Sequence, residues 1–410
     1  MNVDNQRTLP RHFWLVALAG AIVAAATRAI RLSTPHVLVF DEAYYAVNAW
    51  EIASSGVEQG TVVHPPLAKW MMAGGIRIVG FSPWGWRVVV LLAGAATVAL
   101  TVQAAGITTR SRRLAGLAGL IVLTDGIAFV TGRLALLDGI VALFATVILT
   151  MILVVANDPT NSAMIDRVLW PLAVVCGAAM ACKWSAAPLW LIAAGTVGWA
   201  SALIGGPVGR RVGVVLIVPP LVYALSFVPT LIVFTDSGVY RLACGGNGRC
   251  GTSPIDRLTA LIDYHVDVIR YHRDLRPTNP YAVSSLNWIP QTQPTVLYDD
   301  TIGHRVVMQS NPLVWLAGSA SIALGVLTRR FRTPTTVVLA VAALAWWAPW
   351  AVGSRAGYSF YAAPLVPILA LSIVTNLGTF SDGTQRRIGA AMAVICVIGV
   401  VALYPRWTAL

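Results

Sequence analysis

The chain has 410 residues, of which 57% are hydrophobic and 11% charged, and its formal net charge is +12. Soluble domains carry about a quarter charged residues, so this composition excludes an ordinary soluble domain and predicts a polytopic membrane protein. The arginines are scattered among apolar segments, which argues against a nucleic-acid-binding protein and favours basic cytoplasmic loops facing anionic lipid.

Apolar segments of roughly twenty residues, the length that crosses a bilayer, recur along the whole chain. The first one, residues 13–32, follows Arg7 and Arg11 and is predicted to be a retained signal anchor. Ten further spans are predicted at 86–108, 114–131, 136–156, 168–182, 186–205, 212–234, 312–328, 334–351, 358–378 and 389–405. We therefore expect an all-α polytopic membrane protein with about eleven transmembrane helices, forming one domain over residues 1–410.

Arginine-rich short loops give the orientation, because such loops mark the cytoplasmic side. Under the count above, all of them fall on one side: Arg110, Arg112, Arg113, Arg210, Arg211, Arg329, Arg330, Arg332, Arg386 and Arg387. The N-terminus is therefore predicted to be cytoplasmic. A first outer loop, 33–85, and a large outer loop, 235–311, are predicted to lie on the opposite face.

The first outer loop carries two adjacent carboxylates, Asp41 and Glu42, followed by His64 and Lys69. Residues 41–54 mix aromatic, apolar and polar side chains, a pattern typical of an interfacial helix. Ionisable residues beside a membrane span are functional-site candidates by default. For Asp41 a second interpretation stays open, because an aspartate at a helix start can simply cap the backbone.

Further charged residues fall at the same predicted face. Arg133, Lys183 and Arg355 are outer-boundary cations, and Asp138 follows Arg133 by five residues, so that these two could form a structural pair. His265 and His272 in the large loop are interpreted as loop-surface residues. Because these side chains share one predicted side of the membrane, together they are stronger functional-site candidates than each is alone.

Two of the five cysteines lie in the large outer loop. Cys244 and Cys250 bracket a glycine-rich segment on the side assigned to the oxidising compartment, so a disulfide is predicted there, with two reduced thiols as the alternative. The sequence contains no metal-ligand spacing such as C-x-x-C or H-E-x-x-H. No metal or other cofactor is therefore expected.

Several motifs resemble those of the protein O-mannosyltransferases, polytopic glycosyltransferases of the GT-C architecture. Residues 40–45 (FDEAYY) and 63–70 (VHPPLAKW) resemble the first outer loop of that family. The resemblance continues at Asp125-Gly126, at 133–138 (RLALLD), at 183–185 (KWS), at 311–315 (NPLVW) and at 355–364 (RAGYSFYAAP), which includes Tyr361. The eukaryotic members' β-trefoil insert is missing here, so the chain resembles the bacterial members.

The resemblance implies an inverting enzyme of the bacterial cell membrane, with its active site on the extracytoplasmic face. The implied donor is a polyprenyl phosphate mannose, and the implied acceptor is a Ser or Thr hydroxyl of an exported polypeptide, for which a translocon would be a fitting partner. By motif, Asp41 would take the acceptor proton and Glu42 would support substrate placement. Arg133 would hold the active site or the lipid phosphate, and the other matching residues are expected to bind substrate: His64, Lys69, Asp138, Lys183, Arg355 and Tyr361.

The chemistry of such a transfer fits this set of residues. The leaving lipid phosphate needs no proton, whereas the incoming hydroxyl needs a base and the phosphate needs fixed cations. Two alternatives remain at this point: a GT-C glycosyltransferase acting on a lipid or cell-envelope glycan, and a non-enzymatic polytopic transporter or scaffold. A transporter would place charges near the bilayer midplane with symmetry between its halves, which the sequence does not display.

Overall fold

The computed structural model describes residues 11–60, 62–247, 251–275, 280–300, 303–353 and 355–409. Within these ranges the chain forms seventeen α-helices and one β-hairpin. The helices are α1 Arg11–Ala29, α2 Glu42–Ser55, α3 Leu67–Val79, α4 Pro83–Thr109, α5 Arg112–Leu123, α6 Gly126–Thr131, α7 Leu137–Asn157, α8 Ser162–Cys182, α9 Ala187–Leu203, α10 Val208–Leu225, α11 Val228–Ile232, α12 Gly238–Asn247, α13 Pro254–Asp274, α14 Pro312–Leu327, α15 Pro334–Val352, α16 Leu365–Leu377 and α17 Asp382–Thr408.

Seven helical segments in the described part of the chain are long and apolar enough to cross a membrane. They are Pro83–Thr109, Leu137–Asn157, Ser162–Cys182, Trp184–Leu203, Val208–Leu225, Pro334–Val352 and Asp382–Thr408. Three shorter apolar helices also coincide with predicted spans: Phe13–Ala29, Pro312–Leu327 and Leu365–Leu377. The predicted helical membrane fold is confirmed, while the number of eleven spans and their orientation stay predictions.

The segment 114–131, expected as one span, is instead two helices that meet at Thr124 and Asp125. Asp125 has an extended backbone, and its carboxylate accepts a hydrogen bond from the backbone N–H of Ala128 at 3.0 Å, which caps α6. The other carboxylate oxygen accepts the indole N–H of Trp315 at 2.7 Å. The prediction of one span was wrong here because an aspartate that satisfies the helix start interrupts an otherwise apolar stretch.

The core is organised around α4, which packs against α1, α3, α5, α7 and α16. Helix α16 is buried along nearly its whole length, so it occupies the middle of the molecule, not its lipid-facing edge. By contrast, α10 and α17 expose most of their apolar residues, as expected of helices on the outside of a membrane bundle.

The first outer loop folds into α2 and α3, which pack on each other. Helix α2 buries Tyr45, Ala46, Ala49 and Ile52, a helical spacing that gives it one apolar face. The helix expected at 41–54 is thus present, beginning at Glu42. Its location at a membrane surface stays a prediction.

The large outer loop contains α12, α13 and the hairpin, whose antiparallel strands are β1 Thr295–Asp299 and β2 Arg305–Met308. The sequence analysis did not predict this hairpin, and it is a small addition to a helical fold. A second apolar cluster joins Val62 of the first outer loop to Phe227, Phe234 and Tyr264. The two outer loops therefore pack together, and the candidate site forms beside their junction.

Candidate functional site

Asp41 immediately precedes α2, and its side chain is half-buried. Its Oδ2 accepts a hydrogen bond from the hydroxyl of Tyr45 at 3.1 Å. The Asp41 side chain makes no capping bond to the helix backbone, so the interpretation as a mere helix cap is not supported. Among the described residues no cation lies within ion-pair distance of this carboxylate, which leaves an oxygen available for a ligand.

Burial raises the pKa of Asp41 to about 6, and the nearby carboxylate of Asp138 acts in the same direction. The positive charges of Lys183 and Arg355 and the hydrogen bond from Tyr45 oppose this rise in pKa. A carboxylate with a pKa near neutrality can both lose and accept a proton at physiological pH, which suits a general base.

Lys183 follows the C-terminus of α8 and reaches Asp138 in the first turn of α7. Its ammonium group donates to both carboxylate oxygens of Asp138 at 2.8 Å, and both side chains are buried. The ammonium nitrogen also lies 4.4 Å from the ring centroid of Tyr361. The suggested structural pair between Arg133 and Asp138 was therefore wrong, because Asp138 is paired with Lys183.

Arg355 is held by aromatic rings. Its guanidinium carbon lies 5.6 Å from the ring centroid of Trp350 and 5.5 Å from that of Tyr361, and the two rings stack at 4.3 Å. A long hydrogen bond of 3.4 Å joins its Nη2 to the Tyr361 hydroxyl. No carboxylate in the described ranges forms an ion pair with Arg355, so this half-buried cation keeps most of its donors for a ligand.

Two histidines stack next to this group. The rings of His64 and His272 lie 4.9 Å apart, and the ring of Tyr45 lies 5.8 Å from that of His64, tilted by 58°. His272 Nε2 donates to the carbonyl of Val63 at 2.8 Å. Burial and neighbouring cations lower the pKa of His272 to about 4 and that of His64 well below its usual range, so both rings are neutral near pH 7.

His272 and His265 were expected to be loop-surface residues, and both are in fact half-buried. His265 Nε2 forms a 2.7 Å hydrogen bond with the hydroxyl of Tyr223. The expectation was wrong because α13 folds back onto the first outer loop, a contact between segments some two hundred residues apart. No local pattern in the sequence signals it.

Glu42 has a different environment from Asp41. It forms a fully buried, bidentate ion pair with Arg87, with N–O distances of 2.8 and 2.7 Å. Its oxygens also accept the backbone N–H groups of Val39 at 3.0 Å and Ala135 at 2.8 Å. All of its acceptor capacity is thus engaged in joining the first outer loop to α4 and to the start of α7. The sequence analysis did not identify Arg87. The feature that could have pointed to it is an arginine at the start of a predicted apolar span.

Lys69 and Arg133 are also engaged within the protein. Lys69 is buried, forms an ion pair with Glu58 and donates to the carbonyl of His64 at 2.9 Å. Arg133 donates to three carbonyls at the C-terminal end of α1, those of Arg28, Ile30 and Arg31, at 2.6 to 2.9 Å. These two cations hold loops in place, and the structure does not bring Arg133 into the group around Asp41.

Six of the residues expected from the sequence form one group at the junction of the outer loops: Asp41, His64, Asp138, Lys183, Arg355 and Tyr361. In the described part of the chain no three His, Cys, Asp or Glu side chains are close enough to hold a metal ion. The predicted disulfide involves Cys250, which lies outside the described residues.

Residues 82–232 match the family model described as dolichyl-phosphate-mannose-protein mannosyltransferase. That range includes Arg87, Asp138 and Lys183, whereas Asp41 precedes it. Over 97% of this chain and 88% of the relative, the sequence is 28% identical to the polyprenol-phosphate-mannose–protein mannosyltransferase of Mycobacterium tuberculosis strain H37Rv.

Two solved structures have a similar fold. The Saccharomyces cerevisiae protein O-mannosyltransferase Pmt1-Pmt2 complex, bound to its sugar donor, matches with a TM-score of 0.78 and 12% identity over 98% of this chain and 91% of that one. ArnT from Cupriavidus metallidurans, bound to undecaprenyl phosphate, matches with a TM-score of 0.60 and 20% identity over 96% of this chain and 64% of that one. At these identities the likeness establishes the fold.

Proposed function

We propose that this chain transfers mannose from a polyprenyl phosphate donor to Ser or Thr hydroxyls of exported polypeptides. The match of residues 82–232 to the mannosyltransferase family model and the names of the relatives support the proposal. The proposed reaction takes place on the extracytoplasmic face of a bacterial plasma membrane, where acceptors emerging from the translocon would meet the site. The alternative of a transporter or scaffold finds no support among the named relatives, which are transferases.

The observation that carries the proposal is the state of Asp41. This carboxylate is half-buried, hydrogen-bonded to Tyr45 and free of an ion pair with any described cation. In the proposed step, it takes the proton of the acceptor hydroxyl while the hydroxyl oxygen attacks the anomeric carbon of mannose. Because attack comes from the face opposite the lipid phosphate, the configuration at that carbon is inverted.

The cations beside Asp41 suit the leaving group. When the anomeric C–O bond breaks, its electron pair stays on the polyprenyl phosphate, which changes from a monoanion to a dianion. Arg355 has donors to spare for this growing charge, and a guanidinium binds phosphate oxygens in a planar, bidentate manner. Lys183, which is already bound to Asp138, would add electrostatic attraction from a fixed position.

The remaining residues of the expected set act as positioning residues in this proposal. Glu42 fixes the backbone that carries Asp41, and Lys69 fixes the loop that carries His64. Neutral His64, stacked on His272 and in tilted contact with Tyr45, helps to form one wall of the site. Tyr361 shapes the other wall, between Lys183 and Arg355.

The test is a transfer assay with purified full-length protein in lipid nanodiscs. Radiolabelled polyprenyl phosphate mannose and a Ser/Thr-rich peptide are supplied to the wild type and to Asp41→Asn. We expect label to reach the peptide with the wild type, and at least a hundredfold slower transfer with the variant, because general-base catalysis contributes about 10²–10⁴-fold.

The matched control is Asp166→Asn, which alters an aspartate whose side chain is 56% exposed in an ion pair with Arg211, near the start of α8 and so at the opposite end of that helix from Lys183. This variant should transfer at the wild-type rate. Label that ends in a lipid product instead of the peptide would favour the glycan-transferring alternative. Unchanged peptide labelling by Asp41→Asn would contradict the assignment of the base.

A further inference from the structure

A groove of about 280 Å³ lies between α5 and α17, on the side of the molecule opposite to the outer loops by the predicted orientation. Both helices run inward from arginine-rich segments, so their first turns line the entrance and later turns line the interior. Arg113 and Arg386 line the entrance, and Leu120 and Ala393 lie seven residues further along the same helices. At 1.5 Å per residue, the groove changes from cationic to apolar within roughly 10 Å.

The two arginines at the entrance are exposed. Among the described residues, none hydrogen-bonds or ion-pairs with the side chain of Arg113 or Arg386. The first turn of α5 contains no acidic residue, and that of α17 contains one, the exposed Asp382. The two entrance arginines outnumber this carboxylate, and the N-terminal ends of both helices add partial positive charge. The entrance therefore attracts an anion that this chain does not itself supply.

The interior of the groove is apolar and partly unfilled. Leu114, Leu117 and Leu120 line the α5 side, and Gly389, Ala390 and Ala393 line the α17 side. The volume of about 280 Å³ between these small residues and the leucines leaves room for a segment of hydrocarbon chain. A Cβ atom placed on Gly389 would already touch Leu117 Cδ2 at 3.7 Å, so a larger side chain there would fill this space.

The cationic entrance and the apolar interior together define the chemistry of the occupant. A small inorganic anion would leave the apolar interior open to water, and a neutral lipid would leave the arginines unpaired. A basic pocket between transmembrane helices on the cytoplasmic side is the arrangement that binds anionic headgroups. A phospholipid with a net negative headgroup satisfies both halves, with phosphate at the entrance and an acyl chain along the glycine and alanine side.

We propose that this α5–α17 groove is a specific binding site for an anionic phospholipid of the cytoplasmic leaflet. Arg113 and Arg386 bind its phosphate, and the groove beyond them holds one acyl chain. The site is separate from the group around Asp41, and its test does not depend on sugar transfer.

The test measures lipid binding to the purified full-length protein in neutral detergent, by native mass spectrometry and by the shift in unfolding temperature. Dioleoylphosphatidylglycerol is the anionic probe, and dioleoylphosphatidylcholine is the neutral one. We expect phosphatidylglycerol to remain bound and to raise the unfolding temperature, with phosphatidylcholine at least tenfold weaker. The double variant Arg113→Gln/Arg386→Gln should weaken phosphatidylglycerol binding at least tenfold.

The matched control is Arg210→Gln/Arg329→Gln, which removes two exposed arginines from the same predicted face but outside the groove. It should keep wild-type affinity, because these two arginines lie outside the entrance and leave the interior unchanged. Gly389→Leu keeps both arginines and fills the interior, so it should also weaken binding. This variant keeps the test decisive if the arginine variant fails to fold.

Three results would overturn the proposal. The first is equal loss of affinity in the control and the groove variants, which would indicate diffuse attraction to surface charge. The second is displacement of phosphatidylglycerol by millimolar inorganic phosphate, which would indicate a site for the anion alone. The third is a groove that binds undecaprenyl phosphate but not phosphatidylglycerol.

Discussion

Asp41 and Glu42 are adjacent in the chain but have different electrostatic environments. Asp41 is half-buried, with one hydrogen bond from Tyr45, whereas Glu42 is fully buried against Arg87 and two backbone N–H groups. A catalytic base must exchange its proton with a substrate, and an oxygen already committed to a guanidinium cannot do so without breaking an ion pair. The contrast therefore favours Asp41 over Glu42 as the proposed base.

The raised pKa of Asp41 predicts the pH dependence of transfer. The base acts as a carboxylate, so kcat/KM should rise as the pH rises through about 6, and at pH 5 about a tenth of the maximal value should remain. The hydrogen bond from Tyr45 lowers the pKa of Asp41, so Tyr45→Phe should move the midpoint to higher pH. Rates measured from pH 5 to 8 check both expectations. A flat profile, or a midpoint that moves to lower pH in the variant, would contradict them.

The buried pair of Glu42 and Arg87 predicts a stability effect. Glu42→Gln leaves the Arg87 cation buried without its counter-charge, which costs about 3–5 kcal/mol. Thermal unfolding in detergent should show this loss, and Asp267→Asn, in an exposed pair with Arg270, should show far less. Per folded molecule, Glu42→Gln should keep more transfer activity than Asp41→Asn. The reverse order would assign Glu42 to the chemistry.

At the scale of elements, the break between α5 and α6 turns the chain inside an apolar segment. Asp125 caps α6 and binds the indole of Trp315, which ties this break to the start of α14. Gly126 follows it at a very close approach to the backbone of residue 309. A Cβ atom at Gly126 would lie within 1.9 Å of the Gln309 carbonyl oxygen, so glycine is required for the two segments to meet.

This packing predicts opposite outcomes for two glycine variants. Gly126→Ala should destabilise the protein by about 1–3 kcal/mol or more, because backbone atoms must move to admit the methyl group. Gly195→Ala in α9, where no atom lies within 4 Å of the added carbon, should be neutral or slightly stabilising. Unfolding temperatures in the same detergent compare them. Equal stability of the two variants would show that the contact at Gly126 yields easily.

For the whole molecule, two arginines join the N-terminal helix to the rest of the bundle. Arg133 donates to carbonyls in the last turn of α1 and directly after it, and Arg28 on α1 donates to the carbonyl of Ala128 on α6. Helix ends leave such carbonyls without intrahelical partners, so a buried guanidinium with several donors is well suited to satisfy them. The loop that carries Asp41 begins directly after this junction.

Arg133→Ala should therefore destabilise the protein and impair donor and acceptor use to the same degree. Three carbonyls lose their partner, and the position of the whole first outer loop becomes less defined. Arg133→Lys should recover part of the stability, since one ammonium reaches fewer of these carbonyls. Separate KM measurements for donor and peptide check this. A selective rise in the donor KM would instead support the contact with lipid phosphate that the family resemblance implies.

Some features of this protein follow from its sequence alone. Long apolar segments such as α4, α7 and α15 were identified from composition, because the length needed to cross a bilayer is a local property of the chain. The motifs containing Asp41, Lys183 and Arg355 likewise led to the resemblance to the protein mannosyltransferases, which the named relatives support, and to most of the proposed site. These residues stand in short segments whose order and spacing can be recognised without knowing how they pack.

Other features were decided by the tertiary structure. The partner of Glu42 is 45 residues away, that of Asp138 is also 45 residues away, and His272 meets Val63 across 209 residues. Whether a charged side chain is a base, an ion-pair partner or a helix tether depends on which groups surround it after folding. The same carboxylate or guanidinium can serve each role, so only the packing of distant segments distinguishes them.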